Sequence, residues 1–311
     1  MGKPAALVLL ACAGVAGIVA LVWPQAAEPE YHGNKLSQWL GLYENAASSN
    51  SAGKRDKELA AEAVRQIGTN AVPLLLKWTD YEPPPWRGML ATALRRLPGA
   101  LGRSDRLQKF IIGGGEERCR RGMLGFHLLG PAASGAVPEL SERMSTRASP
   151  SGGLCAYALG EIGKEGLPPL VEALTNIQAL NRVDAVAAIG LYIAPTNGVS
   201  LVPVLAKCLS DKDPVVAALS VRALGHLGTE LHNAVPPLTE ALKDPRPHMR
   251  VVALQTVGDL GPRGRVALPL LMLLLNDSDL RARREATNTL QKIAPEVLTN
   301  KESEAGRDFE K

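Results

Sequence analysis

Apolar positions recur with helical spacing through most of the chain. Between residues 249 and 260 they fall at i, i+3, i+4, i+7, i+8 and i+11, which predicts a helix with one apolar face. Another predicted helix, around residues 233–242, has Pro236 in its first turn, where the missing N–H is harmless. Because neither helix can bury its apolar face alone, neighbouring pairs must stack into a continuous core.

The chain repeats itself with a period of about 33 residues. The stretch from Gly225 to Asp244 returns from Gly258 to Asp277, so its glycines, proline and aspartate recur at an offset of 33. Prolines in the same context lie at Pro73, Pro138, Pro168, Pro203, Pro236 and Pro269. The intervals from Pro138 onward are 30, 35, 33 and 33, whereas the first interval is 65 and implies one degenerate copy. About seven units therefore tile residues 36–298.

The repeated pattern is an aspartate, an apolar helix, LGxLG and then AVPxLxxAL. It is similar to HEAT repeats, in particular to the short form of the phycobilin-lyase-like proteins. The opening YHGNKLSQWL, residues 31–40, also resembles the lead-in of exported bacterial HEAT-repeat proteins. This resemblance implies an all-α, armadillo-like fold: an α-α superhelix (HEAT-type α-solenoid) of two-helix repeats that serves as a binding scaffold.

The amino terminus predicts export. Lys3 precedes an uncharged apolar run from Ala5 to Trp23, which is long enough to span a bilayer as a hydrophobic helix, and the acids Glu28 and Glu30 follow it. Residues 1–27 are therefore a signal-anchor, or a cleaved signal peptide with small residues at 25–27. The first alternative holds the body at the cell envelope, outside the cytoplasm, and the second leaves it secreted or periplasmic. We expect a linker at 28–34, the solenoid at 35–298 with degenerate repeats around 80–130, and a disordered tail at 299–311.

Charged residues gather at the junctions between predicted repeats, as in ALKDPRPHMR (residues 241–250). Asp211, Asp244 and Asp277 share one repeat position, and Arg250 and Arg283 each stand six residues after an aspartate. In HEAT proteins such side chains resemble a ladder that links adjacent units, although Ala217 interrupts it after Asp211. We therefore expect these five charged residues to be structural.

Other patterns that carry chemistry are missing from the sequence. The four cysteines have no CxxC spacing, the five histidines form no i, i+4 pair, and no GxSxG or P-loop motif occurs. We therefore expect no enzyme activity, no metal, no cofactor and no small-molecule ligand. If the chain is exported, one disulfide among Cys119, Cys155 and Cys208 is an alternative to three reduced cysteines.

The net charge of +4 is distributed unevenly, because the segment from Arg87 to Arg121 alone carries +6. This segment is the candidate partner-binding patch. Its arginines are Arg87, Arg95, Arg96, Arg103, Arg106, Arg118, Arg120 and Arg121. The predicted function is a noncatalytic protein–protein interaction scaffold, with another protein as partner and the membrane bound through the N-terminal helix. Alternatives are a lyase-like HEAT enzyme and a nucleic-acid-binding HEAT protein, which predicted export disfavours.

Overall fold

The computed structural model describes residues 28–46, 51–80, 114–148, 151–192, 201–227 and 231–298, and every structural statement below concerns these residues. The chain divides into two compact units, which meet between Ala71 and Val72. Among the described residues, no helix has both the length and the apolar character needed to cross a membrane. Residues 1–27 and 299–311, which carry the anchor and tail predictions, lie outside the described part of the chain.

The first unit begins with a β-hairpin in the segment for which the sequence predicts a linker. Strands β1 (Glu30–Tyr31) and β2 (Asn34–Lys35) pair antiparallel, and the Trp39 indole N–H donates to the carbonyl oxygen of Tyr31 at 3.1 Å. Helices α1 (Leu36–Asn45) and α2 (Ser51–Ile67) pack on each other, and a 3₁₀ turn (Gly68–Ala71) follows. Tying the indole to the hairpin gives this short segment a fixed conformation.

The second unit consists of helices joined by short turns. They are α3 (Val72–Thr79), α4 (Gly114–Leu129), α5 (Val137–Thr146), α6 (Ser151–Ile162), α7 (Leu167–Thr175), α8 (Arg182–Tyr192), α9 (Val202–Cys208), α10 (Pro214–His226), α11 (Leu231–Leu242), α12 (Pro247–Asp259), α13 (Leu268–Leu274) and α14 (Leu280–Ile293). The first helices of successive repeats, α4, α6, α8, α10, α12 and α14, each pack on the next one. The second helices pack beside them, as α7 does on α8 and α11 on α12. The predicted all-α solenoid is confirmed.

Proline sets the start of most second helices. Pro138, Pro168, Pro203 and Pro269 lie at the first or second helical position of α5, α7, α9 and α13. The prediction for Pro236 is wrong, because α11 begins at Leu231 and contains both Pro236 and Pro237. Residues 231–235 are already helical there, whereas a 3₁₀ turn (Gly261–Ala267) occupies the corresponding place before α13.

One glycine per first helix allows neighbouring first helices to approach closely. Gly160, Gly190, Gly225 and Gly258 occupy this position in α6, α8, α10 and α12. A Cβ atom on Gly190 would lie 3.2 Å from the Cβ of Ala223, and one on Gly225 would lie 2.4 Å from Cγ2 of Thr256. Gly258 lies inside α12, which ends at Asp259, and Gly261, with φ of +57°, lies just beyond the helix end.

A buried ion pair joins the last two repeats. The Arg250 guanidinium donates to both carboxylate oxygens of Asp277, at 2.7 and 2.6 Å, and the side chains are only 11% and 5% exposed. Its third nitrogen donates to the carbonyl oxygens of Asp244 and Pro245, at 2.8 and 3.2 Å. The arginine thus binds the turn of its own repeat and the aspartate of the next repeat at once.

The aspartates that share one repeat position, Asp211, Asp244 and Asp277, form the aspartate row, and each of them also closes its own turn. Asp211, Asp244 and Asp277 accept from the backbone N–H two residues ahead, at 2.9, 2.8 and 2.8 Å. Arg283 repeats half of the role of Arg250, donating to the carbonyl oxygen of Asp277 at 2.5 Å and to that of Ser278 at 3.2 Å.

Where Ala217 leaves the row without an arginine, Arg246 links the repeats instead. Its guanidinium donates to both carboxylate oxygens of Asp244, each at 2.9 Å. It also donates to the carbonyl oxygens of Leu209 and Asp211 in the preceding repeat, at 2.6 and 3.3 Å. The junction therefore keeps an arginine, but one that comes from the following turn.

These arginines hold the aspartates in the charged form. Hydrogen bonds from Arg182, Arg246 and Arg250 lower the pKa of Asp211, Asp244 and Asp277, respectively, below the ordinary value of 3.8. The carboxylates are ionised throughout the neutral range, so the pairs stay formed there.

We expect alanine to have opposite effects at two glycines of the first helices. Gly225→Ala should destabilise the fold by about 1–3 kcal/mol, because Thr256 is stiff and already donates to the carbonyl oxygen of Val252. Gly258→Ala is the matched control: its nearest neighbour would lie 3.4 Å away, so higher helix propensity should leave stability equal or raise it by about 0.5–1 kcal/mol. Urea midpoints of the full chain measure both. Equal midpoints would show that this approach does not limit packing.

Removing one partner of the buried pair should be costly. Arg250→Met leaves the carboxylate of Asp277 buried and unpaired, so the free energy of unfolding should fall by about 3 kcal/mol. Adding Asp277→Leu should restore much of this loss, because it removes the orphaned charge. Lys243→Met, at an exposed pair with Glu240, is the control and should change stability by less than about 0.5 kcal/mol. A double variant no more stable than Arg250→Met alone would contradict this account.

Acid should loosen the junctions. The folded-state pKa values of the three aspartates lie below 3.8, so the unfolded chain binds protons first as pH falls. Their contribution is complete above about pH 5 and is lost as pH falls through the folded pKa values. Urea midpoints should drop between pH 5 and 3, and less steeply for Asp277→Asn than for the exposed-site control Asp259→Asn, whose carboxylate is 70% exposed. Equal slopes for both variants would rule out Asp277 as a source of the acid response.

Candidate functional site

A cleft of about 690 Å³ lies between two successive inter-repeat turns of the second unit. One wall is the loop between α7 and α8, residues 176–181, and the other is the turn between α9 and α10, residues 209–213. The lining includes Leu174, Val183 and Cys208 from the flanking helices. The cleft therefore belongs to the same face of the repeats as the aspartate row.

The first wall differs from its counterparts because one turn of helix is missing. Asn176 stands at the aspartate position, and its side-chain oxygen accepts from the backbone N–H of Gln178 at 3.0 Å. The helices after Asp211, Asp244 and Asp277 begin three residues later, at positions 214, 247 and 280, but α8 begins six residues after Asn176. Residues 179–181 are consequently outside the helix.

Local chemistry explains the missing turn. The N-cap residue Asp213 accepts from the backbone N–H of Val215 at 2.8 Å, and Pro214 fills the first helical position. The corresponding residues before α8 are Gln178 and Ala179, which offer neither the short capping side chain nor the fixed φ of proline.

Asn181 anchors the loop to the preceding repeat. Its side-chain amide is buried and donates to the carbonyl oxygens of Met144 and Arg147 at 2.7 and 2.6 Å. Gly152 makes room for it, since a Cβ atom there would lie 2.3 Å from the amide nitrogen. The loop is thus held at its carboxyl end, which leaves its middle residues facing outward.

Large apolar side chains stand exposed along this loop. Ile177 is 74% exposed and Leu180 is 59% exposed, and Val215, the repeat counterpart of Leu180, is 49% exposed. The next two counterparts are polar, His248 and Arg281. At this repeat position, the exposed apolar side chains therefore belong to the two repeats that border the cleft.

An ion pair and two lysines set the charge of the cleft. Arg182 donates to Oδ1 of Asp211 at 3.1 Å, pairs with Oδ2 of the same carboxylate, and reaches the carbonyl oxygen of Leu174 at 3.2 and 3.3 Å. The hydrogen bond from Arg182 lowers the pKa of Asp211, whereas burial raises the pKa of the Cys208 thiol. Lys207, near the end of α9, and Lys212, on the second wall, are exposed.

The predicted basic patch is only partly within the described residues. Arg118, Arg120 and Arg121 lie on α4, where Arg121 pairs with Glu117 at 2.6 Å. The other five residues of the patch lie outside the described part of the chain: Arg87, Arg95, Arg96, Arg103 and Arg106.

The described histidines and cysteines lie at separate places along the repeats. Within the described ranges, no group of three or more His, Cys, Asp or Glu residues is placed to hold a metal ion. Cys119, Cys155 and Cys208 form no disulfide with one another, and burial raises the pKa of Cys155 to about 11. Two histidines link first helices: His127 contacts Glu161 at 2.9 Å, and His226 contacts the carbonyl oxygen of Gly190 at 2.8 Å.

Sequence reasoning missed Arg182, Arg246 and Asn181. The first had a readable signal, because Arg182 stands eight residues before Gly190 as Arg250 stands eight before Gly258. For Arg246, the repeat pattern gives no signal. Its link to the preceding turn occurs at the junction where Ala217 stands in place of the arginine found at position 250.

Comparison with known proteins identifies the repeats. The model of HEAT repeats matches residues 167–251 and 202–291, and the model of the PBS lyase HEAT-like repeat matches residues 154–176. No curated protein sequence matches the chain.

Several solved structures are similar at low identity. A crystal structure of an engineered protein from the Northeast Structural Genomics Consortium is 16% identical, with 83% of this chain and 96% of that chain covered and a TM-score of 0.38. A second engineered protein from that consortium is 17% identical, with 83% and 78% covered and a TM-score of 0.38. A designed armadillo repeat protein in complex with the peptide (KR)4 is 15% identical, with 83% and 99% covered and a TM-score of 0.28. At these scores the structures carry no argument about function.

The two family models together cover residues 154–291, and within this range the structure has stacked helix pairs, junction aspartates and, in α7, α9 and α13, a proline in the first turn. Residues 154–291 of the chain are therefore HEAT repeats.

Proposed function

We propose that this protein is a noncatalytic scaffold that is exported, held at a membrane by its N-terminal segment, and bound to a partner protein through the surface of its repeats. The observation that carries the proposal is the stack of HEAT repeats, whose turns and helix faces present side chains from successive units side by side. A HEAT solenoid is consistent with a protein-interaction scaffold.

The junction charges support a noncatalytic role. Asp211, Asp244 and Asp277 each bind an arginine and close a turn, so their carboxylates are occupied by structural contacts. Their lowered pKa values also keep them ionised at neutral pH, which is unsuited to general acid catalysis there. These carboxylates thus stabilise the stack of repeats.

Export rests on the sequence of residues 1–27. Lys3 before the apolar run and the acids after it favour a body outside the cytoplasm, and the run from Ala5 to Trp23 favours retention as an anchor. A cleaved signal peptide would instead give a secreted or periplasmic scaffold.

A cross-linking experiment tests location and partner binding together. Spheroplasts expressing the tagged full chain are treated with a membrane-impermeant cross-linker, and the chain is purified from membranes. We expect a cross-linked partner protein, and at least a fivefold loss of it for Arg118→Glu with Arg120→Glu, because both arginine side chains are exposed on α4.

The charge-matched control is Arg281→Glu with Arg284→Glu on α14, where both side chains are also exposed. Equal loss in both double variants would remove the α4 surface as the binding site. A chain that reacts only after the membrane is permeabilised would place the body inside the cytoplasm and overturn the export proposal.

A further inference from the structure

The cleft between α7 and α10 has features of a built recognition site rather than a gap in packing. Its first wall is fixed from behind by the buried amide of Asn181, while Ile177 and Leu180 remain exposed in front. A loop held by buried hydrogen bonds keeps its apolar side chains in place without a covering layer. The exposed apolar surface is therefore available at little cost in ordering.

The charges around the cleft favour an acidic occupant. Asp211 is neutralised by Arg182, and the carboxylate of Asp213 is used to cap α10. Lys207, near the end of α9, and Lys212, on the second wall, remain as exposed cations, and neither forms an ion pair with another residue of the described ranges. An entering segment thus meets apolar contact on one wall and positive charge on the other.

The dimensions fit a short stretch of polypeptide. A volume of about 690 Å³ is in the range of sites that hold a small ligand or a few residues, and the cleft opens between two turns rather than inside the core. Several backbone N–H groups of these turns are already used within the repeats: those of Gln178 and Ala179 donate to Asn176, and that of Asp213 donates to Asp211. Recognition would therefore depend on side chains of the occupant.

We propose that this cleft binds a short linear segment of a partner protein in which a large apolar side chain is flanked by aspartate or glutamate. The apolar side chain lies against Ile177 and Leu180, and the carboxylates pair with Lys207 and Lys212. This proposal rests on the proposed scaffold function, because it names the chemical class of one partner. It uses a surface distinct from the exposed arginines Arg118 and Arg120 of α4.

Peptide selection on the full-length protein in detergent tests the proposal. A displayed library of twelve-residue peptides is selected on the wild-type chain, and the most enriched peptide is measured by fluorescence anisotropy. We expect enriched sequences that combine leucine, isoleucine or phenylalanine with neighbouring acids. Both Lys207→Glu with Lys212→Glu and Ile177→Ser with Leu180→Ser should weaken binding at least tenfold.

The double variant Arg281→Glu with Arg284→Glu is the charge-matched control and should bind the peptide within twofold of wild type. Because all four substituted cleft side chains are exposed, thermal midpoints should stay near that of wild type. A variant whose midpoint falls is replaced by Lys207→Gln with Lys212→Gln, which should still weaken binding at least threefold.

Several outcomes would overturn the proposal. These are failure to enrich any peptide, enrichment of sequences without an acidic excess, and equal weakening by the α14 control. If deletion of residues 299–311 raises peptide affinity more than tenfold, the occupant is the chain's own tail, which contains Asp308, Phe309 and Glu310, and the partner proposal is wrong. If no peptide binds the cleft but the partner protein is still cross-linked in cells, the cleft proposal is wrong and the scaffold proposal is retained.

Discussion

The ion pair between Arg250 and Asp277 shows the interaction on which the stacking of the repeats depends. The aspartate accepts a backbone N–H of its own turn and a guanidinium from the preceding repeat, so one carboxylate fixes both the local turn and the position of its neighbour. The arginine in turn binds the carbonyl oxygens of Asp244 and Pro245 in the turn before α12. Turn geometry and repeat stacking are thereby coupled, and neither can change without the other.

Departures from this arrangement have structural consequences that can be followed residue by residue. At Ala217 the arginine is missing, and Arg246 provides a different link across the same junction. At Asn176 the carboxylate is missing, and the residues after it do not start a helix until Arg182. The first departure preserves the junction, whereas the second opens it and leaves Ile177 and Leu180 exposed.

Much of this fold could be predicted because a repeat displays its constraints several times. The 33-residue offset and the apolar spacing required stacked helix pairs, and the repeated aspartates indicated their junctions. Errors arose where one repeat differs from the others in backbone rather than in residue type. Pro236 has the same surroundings as Pro269 but lies inside a helix, because the residues before it are helical in one repeat and form a 3₁₀ turn in the other.

The cleft could not be predicted for a related reason. It results from the simultaneous loss of two weak local preferences for starting a helix. Gln178 and Ala179 are ordinary residues, and only comparison with Asp213 and Pro214 shows that a cap and a preset φ are both missing. A repeat protein can relax these preferences in one unit because each unit depends mainly on its immediate neighbours. Asn181 and the pair of Arg182 with Asp211 supply such neighbouring contacts on both sides of the loop. The stack can therefore tolerate an unwound turn at this position, where Ile177 and Leu180 stand exposed beside the cleft.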